Sequence, residues 1–354
     1  MGTVKDYSTI ILFQMPDRKP YYITVKANKN ASFGRWKSCC TNLIGMKFGQ
    51  LIRISSNNFY AVEVESDQNE QEYTSMITSG QDNRDIVANN QNQSLSIEEI
   101  QCLKRDHQGE LLVQKLVDNS ETFTMKTAFA QQKYLKRKKI KYDPVFLIAK
   151  PTIRNIIQIA QRYHDEILNL TLDSISYLLL MTNIRPSCRI LVVDECMGLV
   201  LRALAERMAG REGTVFDWIV SENASPDRKF VKMYPLMNDN RISIQNHSVD
   251  ENASNRFTDL SSIDSFVFVS MQCPIKQLKQ CYKFLKPGCR CVIYNPFLEI
   301  VSDICSQLKD DPNYFDIGMS RTFCREYQVL PSRTHPHVKM NNSSGFVLTA
   351  RYTG

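Results

Sequence analysis

The sequence predicts an α/β chain: a Rossmann-like C-terminal domain on a parallel sheet, preceded by a small N-terminal β-barrel-like domain. From Lys150 onward, apolar strand-like runs alternate with helical patterns, which requires crossover connections and therefore parallel strands. Residues 1 to about 65 instead hold short alternating segments separated by Pro16, Pro20, Gly34 and Gly45, the spacing of a compact antiparallel sheet or barrel. Between these halves the chain turns to Asn, Gln, Asp, Glu and Ser, and then to a run of cations. The expected division is 1–94 for the β-rich domain with a polar linker from about 65, 95–149 for a helical and basic connector, and 150–354 for the α/β domain.

In the first part, Thr9–Phe13, Tyr21–Lys26, Gly49–Ile54 and Phe59–Val64 read as strands. Glu65 to Gln93 has almost no large apolar residue and reads as a flexible loop or linker. Ser96-x-x-Glu99 is a capping box that opens a helix through Leu103 and Arg105. Gly109 breaks it, and Glu110–Val117 continues with Leu111, Leu112, Lys115 and Leu116 at amphipathic spacing. Further on, Thr152–Ala160 is helical or connecting, Leu172–Met181 a helix, Arg189–Asp194 a strand and Leu199–Met208 a helix. Strands at Thr214–Val220, Ile242–His247 and Ile263–Ser270 follow, then a helix at Ile275–Leu285 and a strand at Arg290–Tyr294. A helix from Leu298 precedes Glu326–Leu330 and Gly345–Arg351, read as a closing strand pair.

With 354 residues, 43% of them apolar, the chain can fill two or three cores. Eleven cysteines contain no C-x-x-C pair, and the start carries no secretory pattern. Cys196 and Cys291 lie in apolar runs, so the cysteines read as reduced thiols of an intracellular protein rather than disulfides or zinc ligands. No apolar run reaches membrane-spanning length, and the expected partners include no membrane. The net charge of +7 is modest, but it clusters. Lys133, Lys136, Arg137, Lys138, Lys139 and Lys141 give six cations with no acid, and Lys133, Arg137 and Lys141 share a helix face. A solvated helix face normally mixes signs. A nuclear localisation signal fits the run, as does a phosphate-tracking element with Tyr134 and Tyr142 stacking on bases or sugars.

The loop after Asp194 is informative for what it lacks. A strand ending on an acid before a helix is the cofactor loop of nucleotide-binding and S-adenosylmethionine-binding α/β folds, which require glycines at alternate positions. Here those positions hold Cys196, Gly198 and Val200, and two of the three carry side chains expected to project into the cofactor space. Scaffold without cofactor site points to a pseudo-enzyme. Asp217 and Glu222 are the acids near the end of the second strand that could hold the cofactor ribose, and a lone acid there is more often a turn residue than a ribose ligand. The turn Leu285-Lys286-Pro287-Gly288 and the final antiparallel pair resemble the class I methyltransferase fold.

A narrower resemblance rests on specific runs. Lys126 to Tyr142, Asn183-Ile184-Arg185, Gly198-Leu199-Val200, Glu206-Arg207-Met208 and above all Glu326 to Pro336 match one family. So do Leu43-Ile44-Gly45 with Phe48-Gly49, and the helix pair from Leu95 to Val117. Across nearly its whole length the chain resembles the non-catalytic, RNA-binding subunit of the eukaryotic tRNA adenine-58 N1-methyltransferase. The resemblance implies a pairing with a homologous catalytic subunit in a two-plus-two heterotetramer that binds tRNA in the nucleus. It also implies that S-adenosylmethionine binds the partner and that this chain carries no cofactor and no catalytic residue. Methylation of an adenine ring nitrogen needs a carboxylate at the end of the fourth strand to handle the proton, and this chain has Ser270 there. Arg333 and His335 either reach toward tRNA and the partner's active site or brace the closing hairpin. An active methyltransferase with an atypical loop and an RNA-binding translation factor or scaffold are the competing readings.

Overall fold

Short apolar strands and one long excursion build the first half of the molecule. The computed structural model describes residues 2–55, 58–62, 94–105, 109–208, 212–219, 229–233, 242–248, 262–330, 333–338 and 344–354. The polar linker, Glu222 and Pro331 lie outside them. The chain divides into two compact units, Met1–Pro151 and Thr152–Gly354.

In the first unit, β1 (Thr9–Gln14), β2 (Lys19–Thr24), β3 (Asn30–Phe33), β4 (Trp36–Cys39), β5 (Leu51–Ser55), β6 (Asn58–Val62) and β7 (Val145–Ala149) form one sheet. Its order is β2-β1-β7-β5-β6-β4-β3, and it curls into a nearly closed barrel. All six residues of β1 are buried. The barrel interior packs Ile10, Leu12, Tyr21, Ile23, Phe33, Ile52, Phe59, Phe146 and Ile148 together. The expected connector thus ends inside this sheet: β7 pairs antiparallel with both β1 and β5. Among the described residues, three helices precede β7: α1 (Ile97–Arg105), α2 (Gly109–Asp118) and α3 (Ala128–Tyr142). The capping box holds in both directions: Ser96 N–H donates to Glu99 Oε2 at 2.9 Å, and Glu99 N–H to Ser96 Oγ at 3.2 Å.

In the second unit, α4 (Ile153–Ala160) and α5 (Leu172–Thr182) precede β8 (Cys188–Asp194), α6 (Leu199–Met208), β9 (Gly213–Ile219), α7 (Lys229–Met233) and β10 (Ile242–Ser248). Then come β11 (Ile263–Val269), α8 (Ile275–Cys281), β12 (Leu285–Asn295), α9 (Leu298–Asp310) and β13 (Tyr314–Ser320). The chain closes with β14 (Tyr327–Leu330), β15 (Arg333–Pro336) and β16 (Phe346–Tyr352). The sheet order is β10-β9-β8-β11-β12-β16-β13, parallel from β10 to β12 and antiparallel on both sides of β16. Its third neighbour pair, β8 and β11, is where the strand order reverses, the place at which such sheets bind ligands.

Two expectations are corrected. The strand beside β16 is β13, not Glu326–Leu330, which pairs with β15 as a separate hairpin. The alternation of β13 is hidden by a register shift between Phe315 and Gly318, with Asp316 at φ +53°. The strand after the Lys286-Pro287-Gly288 turn begins earlier than Arg290, because β12 pairs with β11 from Leu285 and skips to Arg290 through a bulge. All eleven cysteines are free and six are buried, acting as small apolar side chains. Among the described residues, no helix is long and apolar enough to cross a membrane.

Candidate nucleic-acid interface and the closed strand ends

The cationic run becomes α3, with Thr127 Oγ1 accepting from Ala130 N–H at its start. Only Gln131 and Leu135 of this helix are buried. Leu135 joins Val113 and Phe123 in a small core against α2, and Gln131 Nε2 donates to Lys126 O at 2.9 Å. The opposite side presents charge: Lys133, Lys136, Arg137 and Lys141 are exposed, and Lys138 and Lys139 half-buried. Lys136 Nζ lies 2.6 Å from Asp17 Oδ1. The concentration of cations near the helix C-terminus is favourable to the helix dipole.

Tyr134 and Tyr142 do not stand out as stacking platforms. Both pack against the small core, and the Tyr134 hydroxyl donates to Leu116 O at 3.3 Å. Their ring faces carry lysines: Lys126 and Lys138 at 4.8 and 5.0 Å from the Tyr134 centroid, Lys141 at 5.0 Å from Tyr142. These rings hold ammonium groups in place rather than awaiting a base. Burial and the Lys138 charge together lower the Lys126 pKa.

The strand ends of the second unit show the opposite arrangement. Asp194, 3% exposed, accepts from Cys196 N–H at 2.7 Å and Leu201 N–H at 2.8 Å, so both carboxylate oxygens cap the start of α6. Met197 and Gly198 take positive φ to make the turn. Cys196 is 0% and Val200 1% exposed. Both side chains are thus buried rather than exposed at the loop. Glu195 N–H donates to Val269 O, and its carboxylate accepts from Met271 N–H at 3.2 Å, tying β8 to the end of β11.

Ser270 is used structurally. Its hydroxyl accepts from Gln272 N–H at 2.9 Å, and its carbonyl accepts from Asn295 Nδ2 at 2.9 Å. Beside it, the fully buried Tyr294 donates its hydroxyl proton to Leu168 O and accepts from Gly345 N–H, both at 2.9 Å. Asp217 is fully buried in mid-strand opposite Val192, not at a strand end. His335 pairs across the hairpin with Gln328 and has Nδ1 2.9 Å from Pro336 O, while Arg333 pairs with Leu330. Both therefore lie within a hairpin strand, though not in the closing pair of the main sheet.

The strand order, the helix-capped loop after β8 and the antiparallel closing strands define a class I methyltransferase-like domain whose strand-end groups are tied to their own backbone. The chain belongs to the Gcd10p family, whose model matches residues 3–265. It is 26% identical to the tRNA (adenine(58)-N(1))-methyltransferase non-catalytic subunit of Dictyostelium discoideum, over 98% of this chain and 78% of that one. The corresponding non-catalytic subunit of Mus musculus is 24% identical over 92% and 84%. Among solved structures, a SAM-dependent O-methyltransferase from Thermotoga maritima aligns with TM-score 0.58 at 13% identity, covering 99% of this chain and 95% of that one. The tRNA (m1A58) methyltransferase of Aquifex aeolicus aligns over all of both chains with TM-score 0.51 at 11% identity. At such identities these structures speak to the fold alone.

Proposed function

We propose that this chain is the non-catalytic, tRNA-binding subunit of a tRNA adenine-58 N1-methyltransferase, holding substrate for a homologous catalytic subunit. One observation carries the reading: the class I sheet order is present, yet the groups at the ends of β8, β11 and β12 are bonded to nearby backbone while α3 leaves four cations exposed. The relatives' names agree with it. Folded RNA is read by shape and phosphates, and a base to be modified must leave its stack. A broad cationic surface suits the first task and needs no reactive pocket of its own.

S-adenosylmethionine does not fit the residues present. Asp194 already caps two amides, Asp217 is buried in mid-strand, and Ser270 replaces the carboxylate that adenine methylation requires. The cofactor then binds the catalytic partner, in a two-plus-two heterotetramer within the nucleus, and Lys133, Lys136, Arg137, Lys138, Lys139 and Lys141 track phosphates. Arg333 and His335, on the β14–β15 hairpin, also bind the tRNA.

Labelled methyl transfer to unmodified tRNA tests the reading. Activity is expected only when the catalytic paralogue is added, and activity from this chain alone overturns it. Replacing Lys136, Arg137, Lys138 and Lys139 with alanine should weaken tRNA binding and flatten its salt dependence, each lost phosphate contact lowering the logarithmic slope by roughly 0.7–0.9. An unchanged slope removes α3 from the binding surface.

A further inference from the structure

The mouth of the N-terminal barrel opens into a cleft of about 380 Å³. That volume lies within the roughly 300–1,000 Å³ of pockets that enclose small ligands. Its walls come from distant parts of the first unit: Gln14 ends β1, Lys19 and Tyr21 belong to β2, Arg35 lies in the β3–β4 turn, Trp36 opens β4, and Ile140 belongs to α3. Apart from Ile140, which lies in the Lys126–Tyr142 run, the family resemblance rests on none of these residues.

The cleft has a polar floor and a cationic rim. Gln14 is 4% exposed. Its Nε2 donates to Ile140 O at 3.0 Å, and its Oε1 receives the Tyr21 hydroxyl only at 3.5 Å. A good O–H···O bond is about 2.7–2.8 Å, so the buried amide keeps acceptor capacity and a second N–H. A carboxamide in that condition matches the donor–acceptor edge of a nucleobase. Arg35 is exposed but fixed: Nη2 donates to Ile140 O at 3.0 Å and the guanidinium lies 4.8 Å over the Trp36 ring. A flat, anchored guanidinium stacks on bases and donates to phosphates. Lys19 Nζ adds a second cation, 5.7 Å from the Tyr21 ring.

The wall is also shaped for access. Gly34 has φ +57°, and a Cβ there would come 2.9 Å from Tyr21 Cε1. A side chain at this position would crowd Tyr21 against the cleft. The acid on the rim, Asp17, is engaged by Lys136 of α3, so the cleft and the cationic helix share one border.

We propose that this cleft receives a single unpaired nucleotide of the bound RNA, its base edge on Gln14, its plane against Arg35 and its phosphate on Arg35 and Lys19. This rests on the tRNA-binding reading and adds a base-holding subsite to it. A free mononucleotide shares the same chemistry. The border with α3 favours a nucleotide within a strand, because the neighbouring phosphates then meet the helix cations.

Photo-crosslinking of the full chain, with its catalytic partner, to unmodified tRNA carrying 4-thiouridine tests the proposal. Crosslinked peptides should contain Tyr21 or Trp36. Arg35→Ala should weaken tRNA binding roughly tenfold, in line with the loss of one stacked base, at an unchanged melting temperature. Arg35→Lys keeps the charge and should restore the salt slope without restoring the affinity. Crosslinks confined to other peptides, with Arg35→Ala binding tRNA normally, overturn the subsite and leave the tRNA-binding reading standing. Competition by AMP, GMP, CMP or UMP at a site that tRNA does not protect overturns the strand source. No tRNA binding by the complex removes both readings together.

Discussion

Two regions of this molecule handle polar groups in opposite ways. On α3 the charges are displayed: four cations are exposed and two half-buried, and the faces of two tyrosine rings are taken up by lysines. At the ends of β8, β11 and β12 the polar groups are consumed. Asp194, Glu195, Ser270, Tyr294 and Asn295 bond to nearby backbone, and four of these five are almost fully buried. A group that binds substrate needs unspent hydrogen-bonding capacity, whereas a group that braces a fold spends it. The contrast separates a surface kept for a ligand from a ligand site converted into framework.

The sharpest way to break this contrast is at Tyr294, where the framework is most concentrated. Tyr294→Ala should destabilise the chain by about 3–5 kcal/mol, because a buried aromatic is lost. Tyr294→Phe keeps the ring and isolates the hydroxyl, and should cost about 1–3 kcal/mol by leaving the Leu168 carbonyl and Gly345 amide without it. Denaturant unfolding of both variants gives the numbers. Full stability in Tyr294→Ala would mean the strand ends are still open for a ligand.

The next test asks whether the lost site can be rebuilt. Cys196→Gly with Val200→Gly restores the glycine pattern, yet both replaced side chains are interior packing. The pair should cost about 2–4 kcal/mol, through buried apolar volume and a glycine in the first turn of α6. Calorimetry should detect no S-adenosylmethionine binding, since Asp194 remains tied to Cys196 and Leu201 amides. Saturable binding by this variant would show that two side chains alone stood between framework and cofactor site.

Some of this was legible in the residues. The apolar run Leu199–Met208 gives α6 its bounds to the residue, and Ser96 with Glu99 names the start of α1. The six cations of α3 are visible because charge needs no partner to be recognised. What a sequence conceals is direction. Cys196 and Val200 occupy the expected positions, but whether they face a crevice or the core depends on how α6 seats on the sheet. Tyr134 and Tyr142 sit among lysines, and only packing against α2 shows their faces to be taken. The short, polar β3 and β4, and β7 within the supposed connector, exist through pairing with strands remote in sequence. The mouth of the barrel was missed for the same reason. Its one signal is the adjacent pair Arg35-Trp36 after a glycine, in a chain with two tryptophans.

The smallest expected effect lies where the cationic helix is anchored. Asp143, just past α3, is 3.3 Å from Arg53, which also meets Glu110 at 3.2 Å. Burial raises the Asp143 pKa above its ordinary 3.8; Arg53 opposes this and Glu110 adds to it. A carboxyl raised in the folded state binds its proton more tightly there than in the unfolded chain. Its contribution to stability is therefore present below 3.8 and is lost as pH rises through the folded-state value. Asp143→Asn removes this titration, and its unfolding free energy should fall less steeply than that of the parent as pH rises from about 4 toward neutrality. Parallel pH profiles for parent and variant would mean the Arg53 pair fully offsets burial. In that case the base of α3 would be, like the strand ends, a place where polar capacity is already spent.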